Sequence, residues 1–137
     1  MSYMGHAATV PLSPPPFSFG WKEIERGLPL KTLEEFSAYS GIAVKDLLDV
    51  VIPARTLKHR RQRKQALSIE ESDRLRRVAE IFELAVKVYG DHDDGRDWMM
   101  SSMRRFEGRT ALSMLRTEAG KQAVEEFLTQ IDEGVFV

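Results

Sequence analysis

Apolar side chains recur at three- and four-residue intervals along most of this chain, the spacing that gathers them on one face of a helix. Trp21, Ile24 and Leu28 make a first short segment, closed by Gly27 and Pro29. Leu30, Leu33 and Phe36 supply the inward face of a second, with Gly41 placed where a helix exits through a left-handed residue. Ile42, Leu47, Leu48 and Val51 are spaced for a third, which Pro53 stops. Helix, tight glycine turn, helix is the outline of a helix-turn-helix, with AVKDLLDVV as its nominal recognition helix.

The longest predicted helix opens at Ser68, whose hydroxyl and the Glu71 carboxylate stand at capping-box spacing, and runs to Tyr89. Leu75, Val78, Phe82, Val86 and Tyr89 form one stripe, widened by Ala79, Ile81, Leu84, Ala85 and Val88. A helix apolar over so much of its circumference is buried centrally or lies in a dimer interface, and the five stripe residues are the candidates for that interface.

Gly90 ends this helix, and Asp94 of the DHDDG loop is placed to cap a short one carrying Trp98, Met99 and Met103. Gly108 breaks the chain again. Ala111, Leu112 and Leu115 mark another short helix. Thr117 caps the last, where Ala123, Val124, Phe127, Leu128 and Ile131 keep helical spacing until Gly134. Val135, Phe136 and Val137 follow as an apolar tip. No stretch alternates with period two, so no strand is expected and the fold class is all-α. The predicted division is a flexible proline-rich arm over 1–20, a helix-turn-helix with its basic segment over 21–66, and a helical domain over 67–137. The arm rests on Pro11, Pro14, Pro15 and Pro16, which lack amide donors; a short proline-rich ligand is the other reading of the same run.

With 137 residues, 42% hydrophobic and 30% charged, the chain has the composition of a core-forming globular domain. It holds no cysteine, which removes disulfides, thiolate catalysis and cysteine-based metal centres. No run of apolar residues is long enough to span a bilayer, and no leader-like start is visible, so a cytoplasmic protein with no membrane association is expected.

Charge is divided unevenly. Residues 1–64 hold ten Lys and Arg against six Asp and Glu, a net +4, and residues 65–137 hold ten against fifteen, a net -5. The first half is suited to an anion and the second, as a whole, is not. Arg55, Lys58, Arg60, Arg61, Arg63 and Lys64 lie within ten residues without an acid among them. Directly after a helix-turn-helix, such a run suits DNA phosphates, with Lys31, Thr32 and Lys45 as further contacts; a solvated basic loop is the plainer alternative. The nominal recognition helix offers Lys45 beside Asp46 and Asp49, so the segment Arg55–Lys64 is expected to contribute more affinity than that helix.

Chemistry of other kinds finds little support. His92 stands among Asp91, Asp93 and Asp94, but without the alternating ligand spacing and terminal Glu of an EF-hand, and the loop reads as a helix cap. Glu70 with Glu71 and Glu125 with Glu126 are adjacent, so their side chains diverge on a helix. No phosphate loop, nucleophile elbow or two-histidine motif is present. No catalysis, metal, cofactor or small-molecule substrate is expected.

From about Gly27 to Val137 the chain resembles the Xre/MbcA/ParS-type antitoxins of bacterial toxin–antitoxin pairs. The resemblance rests on RTLKHRRQRKQALSIEESDRLRRVAEIFELAVKVYG, the tryptophan of RDWMM, and LRTEAGKQAVEEFLTQIDEGVF. It differs at Ser101, Ser102 and Ala111, in a region where the family usually carries prolines. The resemblance implies an Xre-like helix-turn-helix joined by a long central helix to a small toxin-binding domain. It implies a homodimer that represses its own operator and neutralises a cognate toxin, usually a RES-domain enzyme that depletes NAD. Arg74, Arg77, Trp98, Gly108, Gly120, Val124 and Gly134 match family positions, and with Leu128, Val135, Phe136 and Val137 they are the expected toxin-binding residues. The apolar tip is expected to enter a concave site on the toxin; Phe136 folding back onto Trp98 is the alternative. A stand-alone dimeric transcription regulator is the competing function.

Overall fold

The computed structural model describes residues 15–134. Seven α-helices occupy most of this span: α1 (Trp21–Arg26), α2 (Lys31–Ser40), α3 (Val44–Leu47), α4 (Ala54–Gln62), α5 (Ile69–Tyr89), α6 (His92–Met100) and α7 (Glu118–Asp132). The all-α expectation holds with one addition. Between α6 and α7, β1 (Ser102–Met103) pairs antiparallel with β2 (Arg109–Thr110), and turns of 3-10 helix at Arg104–Phe106 and Leu112–Arg116 complete the link. The small hairpin corrects the expectation of no strand: two residues per strand are too few to show an alternating pattern.

Local chemistry sets the helix ends. The Glu71 amide donates to Ser68 Oγ at 3.1 Å and the Ser68 amide to Glu71 Oε1 at 2.7 Å, the predicted reciprocal cap of α5. Gly41 ends α2 at φ 80°, a left-handed conformation that costs a residue bearing a Cβ roughly 1 kcal/mol. The cap of α6 is one turn earlier than predicted. Asp91, not Asp94, is the N-cap, and its carboxylate accepts from the Asp94 amide at 2.8 Å. The third predicted helix is also shorter, because Asp49 at φ 72° turns the chain out after Leu47. Val50, Val51 and Ile52 then enter the core as a turn and not as helix. The basic segment beyond Pro53 is itself a helix, α4.

A single core runs through the molecule. Leu33, Phe36, Leu47, Val51 and Ile52 from the first half join Leu75, Val78, Ile81 and Phe82 of α5 and Met99, Leu115, Val124 and Leu128 from the second. Phe82 is the hinge of this packing: its ring meets Phe36 at 5.9 Å, Tyr39 at 5.8 Å and His92 at 5.2 Å, so α2, α5 and α6 share one aromatic cluster. Phe17 packs on Phe36 at 5.4 Å, which corrects the predicted arm: residues 17–19 belong to the folded unit because the two phenylalanines have apolar surface to bury. Residues 1–14, with Pro11 and Pro14, and the tip Val135–Val137 lie outside the described residues.

Leu75, Val78 and Phe82 have essentially no exposed surface within this one chain, and Val86 is half-buried. The stripe assigned to a dimer interface is therefore interior, with only Tyr89 substantially exposed. Periodicity reports that a face is buried and is blind to which chain buries it.

Candidate functional site

Two surfaces draw together most of the exposed candidate residues. The first is on α4, whose apolar anchorage is a single buried side chain, Leu57. The helix is fixed instead by charge. Arg60 donates from Nε to Glu71 Oε1 at 3.2 Å and from Nη2 to Oε2 at 3.0 Å, so the carboxylate that caps α5 also clamps α4 in a bidentate pair. Burial pushes the Glu71 carboxyl up, but the Arg60 guanidinium and the Ser68 amide outweigh it and hold the group below its ordinary range. Arg61 reaches Glu34 at 3.3 Å, an exposed and weak pair.

With Leu57 inward and Arg60 held at the side, Arg55, Lys58, His59 and Gln62 fall at i, i+3, i+4 and i+7 on the outward face. All four are exposed, and Arg55, Lys58, Arg63 and Lys64 make no ion pair with the described residues. The nominal recognition helix is shorter than expected, at four residues. The four-residue α3 turns Leu47 inward, whereas α4 presents a full basic face that includes a glutamine, a side chain able to pair bidentately with adenine. His59 is expected from the sequence as a phosphate neighbour within the basic run; Gln62 joins it on this face only because the segment is a helix. Lys31 and Lys45 are exposed at the starts of α2 and α3, while Thr32 is buried and unsuited to touch a ligand.

Replacing Glu71 with Gln is expected to cost about 1–2 kcal/mol, because it removes the charged acceptor shared by the α5 cap and the Arg60 fork. Glu80 is also depressed: burial raises its carboxyl, and hydrogen bonds from Lys121 and Arg76 lower it further than burial lifts it. A depressed carboxylate contributes stability that is fully present above its unfolded value and is lost as pH falls through the lower folded value. Denaturant titrations should therefore show stability falling as pH drops below about 4.5, the ordinary glutamate value, with a shallower fall in Glu71→Gln.

The second surface lies on the C-terminal half. Here the expected toxin-binding residues separate into support and surface. Val124 and Leu128 are buried in the chain's own core. Gly120 is buried where α7 crosses Met114, so it is packing, not surface. Arg77 is engaged internally, with Asp73 Oδ2 at 2.8 Å, Glu118 Oε1 at 3.4 Å and the Arg116 carbonyl at 3.2 Å. Arg74 Nη1 donates to the Val51 carbonyl at 3.4 Å, joining α5 to the turn before α4. Trp98 is half-buried between Tyr89 and Phe127, each with ring centres 6.0 Å away. Gly108 and Gly134 are exposed. What remains open to a partner is the outer face of α7, the hairpin around Gly108 and the helix end at Gly134.

His92 takes part in packing: its ring lies 4.8 Å from Tyr39 and 5.2 Å from Phe82, and Nδ1 is 3.2 Å from the Tyr39 carbonyl. The Tyr39 hydroxyl donates to Glu83, and its pKa is pushed up to about 12, first by burial and then by that acceptor. Among the described residues no three His, Cys, Asp or Glu side chains converge as a metal site would require, and no helix is long and apolar enough to cross a membrane.

The two surfaces coincide with two family matches. Residues 22–80 match the antitoxin Xre-like helix-turn-helix domain, and residues 84–134 match the antitoxin Xre/MbcA/ParS C-terminal toxin-binding domain. The chain belongs to the Xre-type antitoxin family. The first match takes in α1 to α4 and the first half of α5; the second takes in the rest of α5, the hairpin and α7. Among relatives, an Antitoxin Xre of Pseudomonas putida is 45% identical over 63% of this chain and 54% of its own length, so this chain spans about half of that relative. An Antitoxin Xre of Yersinia enterocolitica is 27% identical over 82% of this chain and 78% of its own length, and one of Photorhabdus laumondii is 28% identical over 82% and 77%.

Proposed function

We propose that this chain neutralises a cognate RES-type, NAD-degrading toxin and represses its own operon. The observation that carries the reading is that an unpaired basic helix face and a toxin-binding domain share one core on one chain. In the DNA-binding role, α4 lies in the major groove, Arg55 and Gln62 face bases, and Lys58, Arg63 and Lys64 neutralise phosphates. Lys31 and Lys45 add backbone contacts at the rim. In the inhibitory role, α7 and the apolar residues Val135, Phe136 and Val137 that follow it in sequence cover the mouth of the toxin's active site. The chain does no chemistry of its own; it excludes substrate from another protein's pocket. The working unit is a homodimer joined through a surface other than the interior stripe of α5.

Coexpression with the product of the adjacent gene tests both roles. A complex on size exclusion and restored cellular NAD are expected, and both should weaken when the chain is cut back to residue 134. On operator DNA, Lys58→Ala with Arg63→Ala should reduce the salt slope of binding by about two. Neither a complex nor NAD rescue would leave a stand-alone DNA-binding regulator as the better account.

A further inference from the structure

We infer that the hairpin and α7 form a cationic groove that receives an acidic segment of the toxin; the inference rests on the antitoxin reading and names its contact surface. Two hollows of about 340 and 360 Å³ adjoin along α7, sharing Arg109 and Met114 in their walls. One continues past Arg105 and Ala123, the other past Arg116 and Ala119. The helix supplies Ala119, Gly120 and Ala123 with Glu126 at one end, and the rest of the lining carries Arg105, Arg109 and Arg116 against the single acid Glu107.

Those arginines differ from their neighbours. Arg60, Arg76, Arg77 and Arg96 all hold carboxylates at close range. Arg105 instead stacks over the Phe127 ring at 4.4 Å, Arg109 meets only Glu107 at 3.5 Å between two exposed side chains, and the Arg116 guanidinium makes no ion pair with the described residues. Glu107 is the one acid between residues 101 and 117, against four arginines, so the segment is net +3 inside a half-chain of net -5. Among the described residues the one ion pair that Arg105, Arg109 and Arg116 make is the exposed Arg109–Glu107 pair, although acids are numerous on the neighbouring helices. Arginine stacked on an aromatic face keeps its planar edge outward, preorganised for a carboxylate fork at low entropic cost. Met114 and the two alanines supply an apolar floor, so the best occupant is a protein segment bearing carboxylates on an apolar backbone.

The test is the affinity of the purified chain for the purified product of the adjacent gene, measured at two salt concentrations. Arg105→Glu with Arg109→Glu should weaken the complex at least tenfold and flatten its salt dependence, while operator binding stays unchanged. Arg109→Glu alone, at an exposed position touching only Glu107, should weaken it severalfold without shifting the melting temperature. Unchanged toxin affinity in both variants, with the wild-type complex intact, overturns the groove and leaves the antitoxin reading standing. Lost operator affinity with toxin affinity retained overturns it in favour of a nucleic-acid contact. Absence of a wild-type complex overturns both.

Discussion

Gly120→Ala is expected to cost about 3 kcal/mol and to lower the melting temperature by roughly 10 °C. A Cβ at this position would lie 1.8 Å from the Met114 carbonyl oxygen and 2.9 Å from its carbon, both main-chain atoms. No rotamer change relieves that overlap; α7 must move away from the preceding 3-10 turn. The displacement would open the contact with α5 that Lys121 Nζ makes to Glu80 Oε1 at 2.7 Å and would distort the groove beside Met114. Thermal melting monitored by circular dichroism checks the magnitude, with Gln122→Ala, exposed two residues away on the same helix, as the comparison expected to stay within about 0.5 kcal/mol. A Gly120→Ala protein as stable as the parent would show that the close approach of α7 is not needed for the fold.

Phe82→Ala should be as severe, at about 3–5 kcal/mol, a large share of the 5–15 kcal/mol typical of a whole domain. The ring is wholly buried and touches three other rings drawn from α2 and α6. Its removal leaves a cavity where the two halves meet and not at the edge of either. In a Trp21→Phe background the half-buried Trp98 reports on the second half, and circular dichroism reports on the helices of both. In urea both signals should move together and at a lower midpoint than in the parent. Two separated transitions in the parent protein would show that the halves unfold independently and would refute the shared core as the source of the effect.

Much of this architecture is legible in the residues themselves. The cap of α5 is written in Ser68 and Glu71, its end in Gly90, and the exit of α2 in Gly41. Those signals act within a turn or two, which is why they can be read locally. The parts that were not legible depend on distant partners. ARTLKHRRQ has one apolar anchor, Leu57, so no hydrophobic period marks it as helix; its helical state is secured by Glu71, eleven residues beyond Arg60. Val50, Val51 and Ile52 look like a continuation of α3 until Asp49 adopts a left-handed conformation. The period of α5 marks its stripe as buried but does not name its partners, which are Phe36, Tyr39 and the last helix of the same chain. The net charge of the half-chain conceals the arginines around the hairpin, because their local excess cancels against acids on α6 and α7.

The uninterrupted core also determines how local opening spreads through the chain. Neither half has an interior of its own to retreat to, because α5 is wall to both. Opening at one end loosens the packing of the other, so the two surfaces lose their shape together. On the proposed antitoxin reading, operator binding and toxin binding are then lost in one unfolding step, because both surfaces stand on the same core.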